Sequence, residues 1–117
     1  MSTDTDLWTQ KGREAADRET PIRQQWWRSK PVEAVEAHLR VEFADLLLAA
    51  GWAAAVGGGV VYGYAKQKGT EANMDDASRC AVLAADHAQA VALRLLVEGF
   101  RARLAQIAAE RTEAGQP

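Results

Sequence analysis

Histidines and nearby acids are the residues of this chain that could do metal or acid–base chemistry, and they occur in two short groups. His38 and Glu42 lie four residues apart, so a helix would place them one turn apart on the same face. Asp86 and His87 are adjacent and would project in different directions. A helical carboxylate site uses a Glu-x-x-His pair with further inward acids. Because no acid lies three residues before either histidine, we predict that the chain holds no metal.

The chain has one cysteine, Cys80, which is the other candidate for chemistry. A thiol near a helix N-terminus can have a lowered pKa, but the sequence places no histidine to activate this one. One cysteine also excludes an intramolecular disulfide and a cysteine-cluster zinc site. The sequence contains no phosphate-binding loop and no Ser-His-Asp order. We therefore predict a protein that is not an enzyme and has no cofactor.

Basic and aromatic residues alternate in RQQWWRSK, residues 23–30. This pattern is compatible with stacking on nucleic-acid bases or with lipid headgroups, where tryptophan is favoured. Three positive charges in eight residues are few for either partner, and the net charge of −2 gives no sign of a nucleic-acid-binding protein. We favour Trp26 and Trp27 as hydrophobic anchors onto the same or a neighbouring subunit, because tryptophan is enriched at interfaces.

A run of twenty residues, 46–65 (LLLAAGWAAAVGGGVVYGYA), carries no charge. Its length meets the criterion for a membrane span, and tyrosines and lysines follow at one end as they do at membrane boundaries. Eleven of the twenty residues are glycine or alanine, which gain little free energy on leaving water. We therefore favour a protein core for this run and keep a single-pass membrane protein of the inner membrane as the alternative.

Small residues fall four apart within this run, and a helix would align them as one smooth stripe for close helix contact. The triple glycine at 57–59 costs a helix roughly 1 kcal/mol per residue relative to alanine. Residues 60–64 are of types that favour strands. We therefore predict a glycine-rich turn region at 57–73 with a short extended segment at 60–64. The small-residue stripe consists of Gly51, Ala55, Gly59 and Gly63.

The remaining sequence predicts helices. Residues 1–30 form a polar arm with short helices, one capped by Thr5 over about 6–18 and one starting at Thr20-Pro21. A helical domain follows at 31–112, with one long helix at about 31–56 and a second at about 74–111. Residues 113–117 are a tail.

The second long helix carries two apolar stripes more than a quarter-turn apart. A helix with two apolar sides needs packing partners on both, more than one antiparallel neighbour supplies. This predicts self-association. One stripe includes Cys80, Ala84, Val91 and Leu95, and the other includes Leu93, Leu96, Phe100, Leu104 and Ile107.

Together these patterns predict a mainly α protein that forms an oligomeric helical bundle. We expect a non-enzymatic assembly module, working as a homo-oligomer or as a subunit of a larger complex such as a phage or mobile-element particle. Its partners are itself or another protein rather than nucleic acid. Because the N-terminus has no basic region followed by an apolar one, we expect a cytoplasmic location. The predicted interaction residues are Trp26, Trp27, the small-residue stripe and the stripe from Leu93 to Ile107.

Overall fold

Helices account for all regular structure in the described part of the chain. The computed structural model describes residues 3–69 and 74–115, and side chains within 6–57 and 78–115. These residues form five helices and no strand, so the prediction of a mainly α fold is confirmed. The helices are α1 (Thr3–Arg18), α2 (Pro21–Arg28), α3 (Val32–Glu42), α4 (Ala44–Gly69) and α5 (Met74–Glu113).

The start signal of α2 is used as its sequence predicts. The Thr20 side chain accepts a hydrogen bond of 3.2 Å from the backbone N–H of Arg23, and Pro21 occupies the first helical position. The start of α1 differs from the prediction. Thr5 lies inside this helix and does not cap it, because α1 begins at Thr3.

The long first helix predicted at 31–56 is wrong as one element. The helix α3 ends at Glu42, Phe43 forms a turn, and α4 begins at Ala44. Leu47 still donates to the Phe43 carbonyl across 2.9 Å, so the interruption is short. No glycine or proline marks the position, and the boundary between two compact units falls there.

The glycine-rich turn region is also wrong over the described residues. The helix α4 continues through the triple glycine to Gly69, so the extended segment predicted at 60–64 is helical. Adding a residue to an existing helix costs far less than nucleating one, and 44–56 supply that nucleus. This continuation offsets the weak helix preference of glycine. Residues 70–73 of the predicted turn lie outside the described residues.

The chain divides into two compact units. Unit 1 comprises 1–42 and 92–117, and unit 2 comprises 43–91. Unit 1 therefore contains α1, α2, α3 and the C-terminal part of α5, whereas unit 2 contains α4 and the N-terminal part of α5. The predicted division into an arm of 1–30 and a helical domain of 31–112 stays a prediction.

Unit 1 is built on a close crossing of α1 and α5 at two glycines. A Cβ on Gly12 would overlap the Leu96 carbonyl oxygen and lie 3.0 Å from the Phe100 backbone nitrogen. A Cβ on Gly99 would overlap the Thr9 carbonyl oxygen in turn. The two backbones therefore touch without intervening side chains, which glycine alone permits. The largest fully buried side chains of unit 1 are Val35, Leu39, Leu96 and Phe100.

A buried glutamine connects three helices of unit 1. The Gln24 side chain on α2 donates to the Ala16 carbonyl at 2.9 Å and accepts from Arg111 Nη2 at 2.6 Å. Ala16 lies in the last turn of α1, where carbonyls have no donor within the helix. The Ala16 carbonyl also accepts from the Glu19 backbone N–H at 3.2 Å, so Gln24 supplies a second donor to the end of α1 while its own amide nitrogen and oxygen are paired.

Candidate interaction surface

The histidine and acid pair of α3 is joined by a third residue. His38 Nε2 lies 3.0 Å from Glu42 Oε2 and 3.3 Å from Glu19 Oε1, and this buried nitrogen has no well-aligned hydrogen-bond acceptor. Both carboxylates already have other partners, since Arg18 contacts Glu42 at 2.8 Å and the Trp27 indole donates to Glu19 at 3.1 Å. Among the described residues no group of three such side chains is arranged to hold a metal ion. The cluster connects α3 with the α1–α2 link.

Trp27 lies inside unit 1. Its ring stacks on His38 with centroids 4.4 Å apart and meets the edge of Phe100 at 6.1 Å. The side chain is buried. Trp27 therefore anchors α2 within its own chain, and no surface of this ring is offered to a partner.

Trp26 is exposed and flanked by two cations. The Arg23 guanidinium carbon and Lys30 Nζ each lie 4.6 Å from the centroid of its ring. Such cation–π contacts stabilise the charged groups on the protein's own surface. The basic side chains of Arg23 and Lys30 therefore contact the tryptophan ring of their own segment, 23–30.

The apolar stripe predicted on the second long helix forms the core of unit 1. Leu93, Leu96, Phe100 and Leu104 are buried, and Ile107 is half-buried. Leu96 and Phe100 meet α1 at the glycine crossing, and Phe100 meets Trp27. These contacts are intramolecular, so the stripe is filled by the chain itself.

The small-residue stripe lies on α4, where the structure describes two of its four side-chain positions. Gly51 is buried, and a Cβ there would meet the side-chain amide of Gln89 on α5. Ala55 is half-buried. The surroundings of Gly59 and Gly63 lie outside the described side chains. Within unit 2, the described part of the stripe thus faces inward, and at Gly51 it meets α5.

The opposite side of α4 exposes large apolar side chains. Leu46, Leu48, Trp52 and Val56 are 42%, 57%, 66% and 59% exposed. Ala49, Ala53 and Gly57 lie among them and are exposed as well. No charged residue occurs between 46 and 57. We call this set of seven residues the outward face of α4.

Sequence reasoning missed the outward face, although part of its signal was present. The last part of the helix predicted at 31–56 is apolar on all sides. This pattern predicts that both sides are buried, but it does not identify what buries them. The spacing of Leu48, Trp52 and Val56 equals that of Phe43, Leu47 and Gly51, so periodicity alone does not distinguish outside from inside. The structure shows the difference, because a Cβ at Gly51 would meet the side-chain amide of Gln89 on α5 whereas Trp52 is exposed.

The exposed side of α5 in unit 2 has a different character. Val82 and Leu83 are exposed there, and Arg79, Asp86 and His87 are exposed beside them. The two helices of unit 2 therefore present unlike surfaces: that of α4 is uncharged, and that of α5 mixes apolar and ionisable groups.

Two depressions of unit 1 lie beside Gln24 and Arg111. One has a volume of about 100 Å³ and the other, a shallow depression open to solvent, about 490 Å³. The smaller is below the roughly 300 Å³ at which ligand pockets begin. Arginines and glutamates line the larger one, and Arg103 and Glu110 among them pair with each other.

Comparisons with protein-family models, with curated proteins and with solved structures each give no significant match. The fold defines the class of this protein, which is all-helical over the described residues.

Proposed function

We propose that this protein is a non-enzymatic helical assembly module that acts through protein–protein contacts, as a homo-oligomer or as a subunit of a larger complex. One observation carries the proposal, namely the outward face of α4 with its exposed Leu48, Trp52 and Val56. Contiguous exposed apolar area often marks an interaction site, whereas single scattered apolar residues need no explanation, and the outward face is a contiguous area. A partner that covers it removes that area from water.

The surface of unit 1 supports the same interpretation by contrast. Its polar side chains pair across helices: Arg103 meets Asp17 at 2.7 Å and Arg13 meets Gln106 at 2.7 Å. These groups are satisfied within the chain. The uncharged side of α4 is the surface that gains free energy from association.

Mass measurement in solution tests the proposal directly. In detergent-free buffer we expect size-exclusion chromatography with light scattering to give a multiple of the 12.7 kDa chain mass. We also expect the assembly to survive high salt, since apolar contacts are not screened. A 12.7 kDa species at all concentrations, with no partner bound, would contradict it.

A second candidate is a single-pass membrane protein that oligomerises through the glycine stripe at 46–65. The unbroken course of α4 favours it, because twenty helical residues span about 30 Å, the thickness of the hydrocarbon core. Among the described residues, however, the helix that is long and apolar enough to cross a membrane by length and composition is Ser78–Glu113 of α5, and the described apolar part of α4, Ala44–Gly57, is shorter than a span. Retention in the membrane fraction after a carbonate wash would support this candidate and contradict a soluble assembly.

A further inference from the structure

We propose that the smaller depression of unit 1 binds a phosphoryl group, either as free phosphate or as a small phosphate monoester. The depression lies between α2 and the C-terminal part of α5. It is separate from the outward face of α4, so this inference goes beyond the assembly function proposed above. The observation that carries it is a pair of arginines, one from each helix, that line the depression without a carboxylate beside them.

Both arginines come from the last turn of a helix. Arg28 ends α2, and Arg111 lies in the last turn of α5. Among the described residues no carboxylate lines the depression, and Glu110, which precedes Arg111, contacts Arg103 at 3.5 Å. The Arg28 side chain is exposed and makes no ion pair within the described part of the chain. The charge of Arg28 is therefore available to a ligand.

A buried side chain orients the second arginine. Gln24 is 6% exposed, and its amide oxygen accepts from Arg111 Nη2 at 2.6 Å while its amide nitrogen donates to the Ala16 carbonyl at 2.9 Å. A neutral acceptor fixes the guanidinium group without neutralising it. Because this contact uses one of several N–H donors, the others remain for a ligand. Orientation before binding lowers the entropy that the ligand must supply.

The charge of this arginine pair exceeds what the two helix ends require. The C-terminal end of a helix carries about half a negative charge, so two ends amount to about one. Two guanidinium groups therefore leave about one positive charge for an anion. Guanidinium groups form paired hydrogen bonds with phosphate oxygens. A phosphate monoester carries a charge of about −1.5 to −2 at pH 7, which suits two arginines better than the single charge of a carboxylate.

The size and the apolar lining of the depression fit a small ligand. Its volume of about 100 Å³ is several times the roughly 10–15 Å³ that one water requires, but it is too small for a drug-sized molecule. An ion of the size of phosphate can therefore enter. Apolar surface lies beside the arginines and could contact a short alkyl group of a monoester. It comes from Leu104, Ile107 and Ala108 of α5.

Titration with inorganic phosphate, in place of chloride at equal ionic strength, tests the site. We expect the side-chain Nε–H signals of Arg28 and Arg111 to shift and saturate in ¹H–¹⁵N NMR spectra, while that of the exposed Arg101 stays unchanged. Phosphate should also raise the melting temperature, because a ligand that binds the folded chain stabilises it. If neither arginine signal responds, the inference is wrong and the two arginines only neutralise the helix ends.

Charge removal at Arg28 shows whether this residue binds the ion. Arg28→Gln should weaken phosphate binding about tenfold, since a hydrogen bond to a charged group is lost. Its fold should be unchanged by circular dichroism, because the side chain has no partner to lose within the described part of the chain. The matched control is Arg101→Gln, which removes the same charge from an exposed position of α5 in unit 1 and should weaken binding less than about twofold. Equal losses for the two variants would contradict the site.

Two further titrations identify the ligand. Acetate at the same ionic strength should bind more weakly than phosphate; if it binds as tightly, the site takes anions in general and the choice of a phosphoryl group is wrong. Ethyl phosphate separates the two sources. Tighter binding than inorganic phosphate supports a monoester whose alkyl group uses the apolar lining, and weaker binding supports free phosphate. Because none of these measurements reports the mass of the assembly, their failure would leave the proposed function standing.

Discussion

The two units of this protein differ in where they place their largest apolar side chains. In unit 1, Phe100 and Leu96 are fully buried, and two glycines bring the backbones of α1 and α5 into contact. In unit 2, Gly51 faces inward while Trp52 and Leu48 face solvent. A unit that buries its large side chains is stabilised by its own core. Unit 2 also buries Phe43 and Leu47, but the large side chains on the outward face of α4 leave water only when a partner covers them.

Two truncations of large residues on α5 test this comparison. One of them should give the largest change in the free energy of unfolding. Phe100→Ala removes a fully buried ring from unit 1 and should lower the free energy of unfolding by about 3–5 kcal/mol, because the cavity cannot be refilled. Leu83→Ala, on the same helix in unit 2, removes a side chain that is 67% exposed and should change it by less than about 0.5 kcal/mol. Urea unfolding followed by circular dichroism measures both. Equal losses would mean that the two units are packed alike.

Glycine-to-alanine substitution should give the next largest change in the free energy of unfolding. We expect this change to have opposite signs in the two units. Gly99→Ala pushes a methyl group into the Thr9 carbonyl, so α1 and α5 must separate, and we expect a loss of about 2 kcal/mol. Gly57→Ala meets nothing within 4 Å and should gain about 1 kcal/mol from helix preference in the monomer. The melting temperatures of the two variants should move in opposite directions. A stabilising Gly99→Ala would show that the crossing at Gly99 is looser than described.

The fold was predictable where it depends on local chemistry. Threonine followed by proline at 20–21 marks the start of α2, and the periodic apolar residues of 93–107 identify a buried helix face. The break at Phe43, which no glycine or proline marks, and the continuation of α4 through the triple glycine do not follow from the residue types at those positions. Isolated glycines inside helical patterns often have a packing reason, and Gly12 and Gly99 are two such positions. Attention to them would have located the crossing in unit 1.

The candidate interaction surface was predictable only in part. The sequence identifies the run 46–65 as uncharged, but the contact residues that it predicts there are the small ones, because small residues permit close approach. The structure directs Gly51 to α5 of the same chain and leaves Trp52 outside. Trp26 and Trp27 could not be distinguished by sequence either, since neighbours on a helix differ in burial according to which side meets the core.

Loss of the buried hydrogen bonds that the Gln24 side chain makes in unit 1 should change the free energy of unfolding by a smaller amount. Gln24→Leu removes the bond to the Ala16 carbonyl and leaves Arg111 without its 2.6 Å acceptor, so we expect a loss of about 1–2 kcal/mol. The adjacent Gln25 is exposed, and Gln25→Leu is the matched control that should be nearly neutral. Urea midpoints at a common slope measure the difference. If both variants behave alike, the polar link between α1, α2 and α5 does not stabilise unit 1.

The ion pair between Arg103 and Asp17 should give the smallest effect, and its dependence on salt and pH identifies it. Arg103 Nε donates to Asp17 Oδ1 at 2.7 Å, and this hydrogen bond, with the nearby charge of Glu110, raises the pKa of the guanidinium above its ordinary value. A raised pKa contributes stability that is present below the unfolded-state pKa and is lost only as pH rises through the folded-state pKa. The contribution of Arg103 is therefore constant between about pH 5 and 9.

Arg103→Gln should consequently lower the melting temperature slightly at low salt, by the same amount across that pH range, and the difference should shrink in high salt because the pair is partly exposed. Arg94→Gln makes the same charge change on the same helix. Arg94 lies 4.0 Å from Glu98, both side chains are more than half exposed, and the contact stays within α5. It should therefore leave the melting temperature unchanged at either salt concentration. If Arg94→Gln lowers the melting temperature as much as Arg103→Gln does, the change in net charge is responsible and not the loss of the ion pair between α1 and α5. The polar surface of unit 1 would then add no stability to that of its core.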